Sequence, residues 1–337
     1  MTQPTSPSPQ LFFDTAFAFQ RSEAIKAAIN LEIFTAIGDG HHTSGSIASH
    51  CKASERGIRM LADYLVMLGF LTKTGNAYGL TKDSELFLVK DSPAYVGGTL
   101  EFIHSPPLIE NFRHLTEAVR KGGTALDDKG TTAEEHPEWV TFAKAMVPMM
   151  SGPAKWIGEY LESTGNPVNK VLDIAAGHGI FGVEIAKRFP QAEVFAVDWA
   201  NVLTVALGNA KAANLSTRYH TIPGSAFDVE YGQGYDLVLL TNFLHHFDQP
   251  TCESLLRKVL ASLKSGGRVV TLEFVPNEDR ISPESADFAL IMLATTPGGD
   301  AYTYKDLDTM FKNAGFGNSD IHVVPNSKEH VLITHKT

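Results

Sequence analysis

Val171-Leu172-Asp173-Ile174-Ala175-Ala176-Gly177-His178-Gly179-Ile180-Phe181-Gly182 decides the fold. Its apolar opening reads as a buried strand, the glycine-bearing middle as a tight turn, and the residues from Ile180 onward as the start of a helix. Glycines at such a turn let the backbone approach a ligand that a Cβ would keep away. Beyond it short apolar strands alternate with helices, the pattern of a parallel α/β sheet. The spacing predicts strands over residues 170–175, 193–198, 218–223, 235–241 and 268–274. A last pair, 320–324 and 330–334, is joined only by a turn and should be antiparallel. Asp198 closes the second strand, 21 residues past Gly177, where a carboxylate can accept both hydroxyls of a nucleoside ribose.

Gly177, Gly179 and Gly182 also satisfy the dinucleotide pattern G-x-G-x-x-G, so the glycines alone leave NAD and S-adenosylmethionine both open. Three features favour the second. Asp173 lies two residues before the turn, where its charge would repel a pyrophosphate but suit a sulfonium and an amino group. The antiparallel final pair departs from an all-parallel nucleotide fold. No constellation for hydride transfer is evident elsewhere. The plain alternative is a structural strand–turn–helix with no ligand.

Outward from this stretch, 337 residues exceed what one compact core usually holds, and two domains are expected. The texture changes at Gly165-Asn166-Pro167, so residues 166–337 form the cofactor-binding catalytic domain. Residues 93–165 read as a helical linker and substrate-pocket region, rich in Phe, Met and Trp and broken at Pro93, Gly97-Gly98, Pro106-Pro107, Gly122-Gly123 and Pro137. Residues 11–92 hold helical stretches followed by a hairpin turning at Gly75-Asn76, the order of a winged helix. Residues 1–10, rich in Ser, Thr, Pro and Gln, read as a disordered tail.

A winged helix is also a DNA-binding fold. The stretch in the place of its recognition helix, residues 54–68, carries Arg56 and Arg59 but also Glu55 and Asp63. With a net charge of −10, the chain lacks the basic excess a reader of phosphates needs. Phe12, Phe13, Phe17 and Phe19 are more apolar surface than one small domain buries, and suit an intertwined homodimer. Cys51 and Cys252 have neither redox nor ligand spacing, which fits a reducing cytoplasm. No apolar run approaches the roughly 20 residues of a membrane span.

Val171-Leu172-Asp173 with Gly177-x-Gly179, then Val197-Asp198, Gly224-Ser225-Ala226-Phe227, Tyr235-Asp236, Leu244-His245-His246-Phe247, Lys264-x-Gly266-Gly267 and Asn313-Ala314-Gly315-Phe316 follow in order. As an ordered set, over almost the whole chain, they resemble the plant-type O-methyltransferases and their bacterial natural-product relatives, which also carry an N-terminal winged-helix dimerisation domain. The resemblance implies a Rossmann-like α/β domain with a seven-stranded, mostly parallel sheet whose last strand is antiparallel. It implies S-adenosylmethionine as methyl donor, S-adenosylhomocysteine as product, no metal, and the hydroxyl of a small aromatic or enolic molecule as acceptor. C- or N-methylation, and non-methylating chemistry on the bound donor, stay open as alternatives.

The donor site implied by the resemblance comprises Asp173, Ala175, Gly177, Gly179, Asp198, Trp199, Ser225, Ala226, Phe227, Thr241 and Asn242. Three positions depart from the family's pattern. Ala175 replaces its first loop glycine, so the turn should be slightly wider. Ser225-Ala226 stand where Asp-Met is frequent, losing a carboxylate, and Thr241 corresponds to a lysine. His245, at the carboxyl edge of the sheet, matches the family's base. A phenolic hydroxyl with a pKa near ~10 must lose its proton as it attacks the methyl group, and a neutral imidazole can take it. His246 stands where Asp is usual and supports the loop. Glu273, 28 residues past His245, matches the acid that orients the base by accepting its other ring N–H. The family's second acid falls at Ala301, and neighbouring Asp300 is the acid that could stand in. Met146, Met150, His246, Phe288 and Met292 are expected to line an apolar acceptor pocket.

Overall fold

The computed structural model describes residues 6–126, 129–136 and 138–336. Pro137, expected to break a helix, and residues 1–5 of the expected tail lie outside the described residues. The chain divides into two compact units, residues 1–100 and 101–337.

In the first unit the apolar run over residues 11–37 forms three helices, Gln10–Ala16, Ala18–Asn30 and Ile33–Gly38. The second break falls where Glu32 takes a left-handed conformation, φ 54°. Helix Ser44–Cys51 opens with a capping box between Thr43 and Ser46, and helix Glu55–Met67 with the Ser54 hydroxyl accepting the Gly57 N–H. Strands β1 (Leu71–Thr74) and β2 (Ala77–Leu80) pair as the antiparallel hairpin, and Thr43 adds a bridge to Ala77. Phe34, Ile47, Ile58, Leu65 and Tyr78 fill the core between helices and hairpin. On helix Glu55–Met67, Arg59 reaches Asp63 at 3.0 Å, and Lys73 binds the same carboxylate. These cations are already paired, which weighs against the DNA reading. Helix Gln10–Ala16 buries none of its side chains, and Leu11, Phe12, Phe17 and Phe19 stand 54–79% exposed.

In the second unit β3 (Lys170–Ile174), β4 (Glu193–Asp198), β5 (Tyr219–Pro223), β6 (Tyr235–Thr241), β7 (Leu263–Glu273), β8 (Ser319–Val323) and β9 (His330–His335) form one sheet, in the order β5-β4-β3-β6-β7-β9-β8. The five strands from β5 to β7 are parallel, and β9 runs antiparallel to both its neighbours. This is the seven-stranded sheet with an antiparallel last strand that the family resemblance implies. β7 begins at Leu263, earlier than the spacing predicts. Tyr235 pairs with Leu263, and after a register shift Leu237 pairs with Arg268, so the glycines at 266–267 sit within the strand at an irregularity.

Period-two alternation gives each inner strand two apolar faces. Leu237 and Leu239 join Val171 in one core; Val238 and Leu240 join Leu172 and Ile174 in the other. The chain runs outward from β3 through β4 to β5, then returns to place β6 on the other side of β3. That reversal opens a crevice at the carboxyl ends of β3 and β6. No helix among the described residues is long and apolar enough to cross a membrane.

The glycine turn is packed from below. Gly179 has φ +70°, and a Cβ there would lie 2.5 Å from Tyr219 Oη and 2.8 Å from Ala206 Cβ. Gly165 has nearly the same φ, +69°, but nothing within 4 Å. Gly179→Ala should therefore cost about 2–4 kcal/mol, left-handed strain plus overpacking, against about 1 kcal/mol for Gly165→Ala. Urea unfolding followed by circular dichroism measures both, and equal costs would show that the loop can move off Tyr219.

Candidate active site

The parity of β3 puts Asp173 on the same face as Val171, beneath the start of helix Ile180–Arg188. It is wholly buried, and Oδ2 accepts the Gly182 N–H at 3.2 Å. Asp173 Oδ1 and Tyr219 Oη have no hydrogen-bond partner among the described residues. Burial pushes the Asp173 pKa up to about 8, with Asp198 adding to the shift. Burial thus favours the neutral form of this acid, tied under the loop.

Ala175, Gly177 and Gly179 all have positive φ, 53°, 54° and 70°. Ala175 takes the left-handed conformation of the glycine it replaces, at a cost of about 1–2 kcal/mol, in place of the wider turn expected. His178 is buried, its Nδ1 accepts the Ile180 N–H at 3.2 Å, and desolvation pulls its pKa down to about 4. Asn209 holds the His178 carbonyl at 2.8 Å. A Cβ on Gly177 would meet nothing nearer than Ala175 O at 3.9 Å and Phe142 Cε1 at 4.0 Å. The turn thus leaves an open cradle above its main chain.

Asp198 joins the neighbouring loops. Its Oδ2 accepts the Gly177 N–H at 2.8 Å, its Oδ1 the Trp199 N–H at 2.7 Å, and its carbonyl the Gly224 N–H at 2.9 Å. Burial raises its pKa to about 6 against the pull of those two N–H donors to its carboxylate, so it stays ionised at pH 7. Each carboxylate oxygen keeps acceptor capacity, as two vicinal hydroxyls require. After β5, Ser225 Oγ accepts the Phe227 N–H at 3.2 Å, and Phe227 packs edge-on against Phe247 at 5.0 Å. Lys258 Nζ secures the Ala226 and Phe227 carbonyls at 3.2 and 2.8 Å.

Thr241 ends β6 as a buried residue, and Asn242 follows with φ 53°. Asn242 donates its N–H to the Leu272 carbonyl at 2.8 Å and its side-chain Nδ2 to Met150 Sδ at 3.3 Å. The next three residues converge on Glu273. Phe243 and Leu244 donate their N–H groups to Oε1 at 3.1 and 2.8 Å, and His245 Nδ1 meets Oε2 at 2.5 Å. Both side chains of the dyad are buried. With Nδ1–H donating to the carboxylate, Nε2 keeps its lone pair and can accept a proton.

His246 is no rival to it. Its Nδ1 is buried without a partner, and desolvation together with the adjacent His245 holds its pKa well below the ordinary imidazole value. Asp300 does not supply the missing second acid. Its N–H donates to the His245 carbonyl at 3.0 Å, while its carboxylate turns to Arg280 at 3.1 Å. Ala301 is buried and offers nothing.

Aromatic rings extend the site. Phe288 stands edge-on to His245 at 4.8 Å and Trp139 to His246 at 5.2 Å; Phe142 links Trp139 at 5.7 Å to Phe102 at 5.0 Å. Of the expected pocket residues, His246 and Phe288 border His245, and Met150 borders Asn242. Met146 and Met292, like Met150, are buried. Tyr219, Asn209, Lys258 and Glu329 escaped the sequence reading. Each is an isolated residue whose neighbours in the chain carry no periodic or motif signal.

A nucleoside sulfonium fits these residues: an open main-chain cradle at Gly177 and a two-oxygen acceptor at Asp198. A parallel sheet of this order, with that acid after β4 and an acid-held histidine after β6, defines a Rossmann-like methyltransferase. The sequence profile of the O-methyltransferase domain matches residues 112–317, and that of the O-methyltransferase dimerisation domain residues 13–90. The chain belongs to the O-methyltransferase family, whose methyl donor is S-adenosylmethionine. A solved structure from Nostoc punctiforme, provisionally assigned as an O-methyltransferase, is 53% identical, covers 98% of this chain and 100% of that one, and superposes with a TM-score of 0.96. The 3-hydroxy-5-methyl-1-naphthoate 3-O-methyltransferase of Streptomyces sahachiroi is 24% identical over 93% of this chain and 91% of its own. Human N-acetylserotonin methyltransferase, solved with S-adenosylmethionine, shares the fold with a TM-score of 0.84 at 22% identity, over 100% of this chain and 99% of that one.

The neutral state of Asp173 has a consequence for stability. Its folded pKa lies above the unfolded value near ~3.9, so its stabilising contribution is present at acid pH and is lost as pH rises towards 8. Asp173→Asn, which stays neutral, should gain on the wild type between pH 5 and pH 8. Paired thermal melts across that range test this, and a pH-independent difference would mean the acid ionises normally.

Proposed function

We propose that this enzyme moves a methyl group from S-adenosylmethionine to the hydroxyl of a small aromatic acceptor, with His245 as general base and Glu273 as its orienting acid. The observation that carries the reading is the dyad itself, His245 Nδ1 held by Glu273 at 2.5 Å with the ring edge-on to Phe288 at 4.8 Å. When bound, the donor supplies an activated methyl group on a positive sulfur. The chain's own part is to place the acceptor oxygen and receive its proton. His245 Nε2 takes the hydroxyl proton as the oxygen attacks, and Glu273 stabilises the charge that forms on the ring. The donor is held at the Gly177 cradle and by Asp198, with Trp199, Ser225, Ala226, Phe227, Thr241 and Asn242 around it. Asp173 and Ala175 shape the turn from within.

An aromatic acceptor is supported by the row of rings from Phe102 through Phe142 and Trp139 to His246, which suits a flat apolar molecule. The hydroxynaphthoate named for the Streptomyces sahachiroi relative is of that kind. Alignment of oxygen, methyl and sulfur is the main demand of an in-line transfer, and the half-buried rings supply it by excluding other poses. We further infer that two copies pair through the first unit, whose exposed phenylalanines on the N-terminal helices need a cover.

Transfer of labelled methyl from S-adenosylmethionine to a panel of catechols and hydroxynaphthoates tests the reaction. His245→Ala should lower turnover at least ~10²-fold while S-adenosylhomocysteine binding, read by calorimetry, stays within about threefold. Unchanged turnover would remove His245 from the mechanism.

A further inference from the structure

Glu329 lies close to His245 and has no part in the reading above. It directly precedes β9, whose first residue, His330, pairs with Glu273 of β7. That register carries Glu329 to the carboxyl edge of the parallel strands. The residue is 3% exposed. Its Oε2 accepts the Ser327 hydroxyl at 3.1 Å, and its N–H donates to the same oxygen at 3.1 Å. Among the described residues its buried Oε1 has no hydrogen-bond partner, nor has Asn242 Oδ1. The Asn242 side chain lies within hydrogen-bonding reach of this carboxyl. Two buried acceptors left unmet are destabilising. One proton on Oε1 satisfies both.

We propose that Glu329 is a positioning residue for His245, a carboxylic acid that donates its proton to Asn242 Oδ1 and so fixes the residue from which the His245 loop departs. The inference rests on His245 being the base. Asn242 sits at φ 53°, a left-handed conformation that Asn adopts readily but as one of several, so holding its amide fixes the direction in which the chain leaves β6. Its Nδ2 already donates to Met150 Sδ, so the proton from Glu329 completes the clamp on both ends of the amide. The three residues that follow Asn242 are those that bind Glu273.

The titratable groups facing Glu329 are Glu273 of β7 and His245 of the loop; Asn242 and Ser327 are its neutral partners, and His330 adjoins it on β9. Burial raises the Glu329 pKa to about 7 and Glu273 adds to it, while the bonds that the Asn242 NH2 and the Ser327 hydroxyl offer the ionised form oppose it. Above that pH the proton leaves, the amide must turn over to offer its NH2, and the contact to Met150 is given up. A second carboxylate charge then stands beside Glu273.

The test uses the full-length chain without ligand first. In a 1H–15N titration of the histidine rings, with His245 assigned by its loss in His245→Asn, the wild-type signal should carry an inflection near pH 7 beyond its own. Glu329→Gln should abolish that inflection, since its amide can hold Asn242 but cannot ionise. In the labelled-methyl assay, with whichever hydroxynaphthoate or catechol turns over, Glu329→Ala should lower kcat about 10-fold, and Glu329→Gln should restore it. A Glu329→Gln titration identical to wild type, or a Glu329→Ala enzyme at full rate, overturns the proposal. Full turnover in His245→Ala would instead overturn the assignment of the base, and the ring titration would still report on Glu329.

Discussion

The carboxylate of Glu273 organises the catalytic edge. It is buried at the last position of β7, and a carboxylate there is tolerated only if donors replace the water it has lost. All three donors come from one short loop, the main chain of Phe243 and Leu244 and the ring of His245. They can do so because β6 and β7 are parallel neighbours in register, with Thr241 opposite Leu272. The first residues beyond β6 therefore start level with Glu273. Satisfying the buried charge and building the dyad are one event. The ring orientation, the tautomer and the path of the loop follow from it, and Phe288 packs against a histidine already held.

The acids along this edge are alike in chemistry and different in state, because each meets a different set of donors. Asp198 takes two N–H groups to its carboxylate and remains ionised at neutral pH despite burial. Asp173 takes one, sits in the interior near Asp198, and keeps its proton. Their order along the chain says nothing of this. The neutral acid lies under the glycine turn, where a proton lets it hold Gly182 without a second charge. The ionised acid lies where hydroxyls must be gripped.

Much of this was legible from the residues alone. Apolar runs and turn glycines marked five parallel strands, because alternation and backbone freedom are local properties. The start of β7 was not, since Gly266-Gly267 reads as a turn while pairing with β6 persists across an irregularity. The single apolar run over residues 11–37 became three helices because the left-handed break at Glu32 has no glycine to announce it. His245 and Glu273 emerged only as members of an ordered set of motifs, since no local pattern links residues 28 positions apart. The burial of Asp173 was not legible for a definite reason: it depends on which helix covers that face of β3. Asp300 looked like a spare acid until the fold placed Arg280 beside it.

Donor and acceptor sides of the site are built from different materials. On the donor side the contacts run largely through main chain: the open turn at Gly177, the N–H groups that orient Asp198, the carbonyls gripped by Lys258. On the acceptor side the walls are side chains, with Trp139 and Phe142 on helix Glu138–Ala145 and Phe288 on helix Phe288–Thr295. These helices lie outside the sheet, so their rings can change without disturbing the strands that carry His245 and Glu273. In the proposed reaction the sheet therefore fixes where a methyl group is offered and where a proton is taken. Which hydroxyl reaches that point is decided by a few rings on two short helices, and the fold leaves those free to differ.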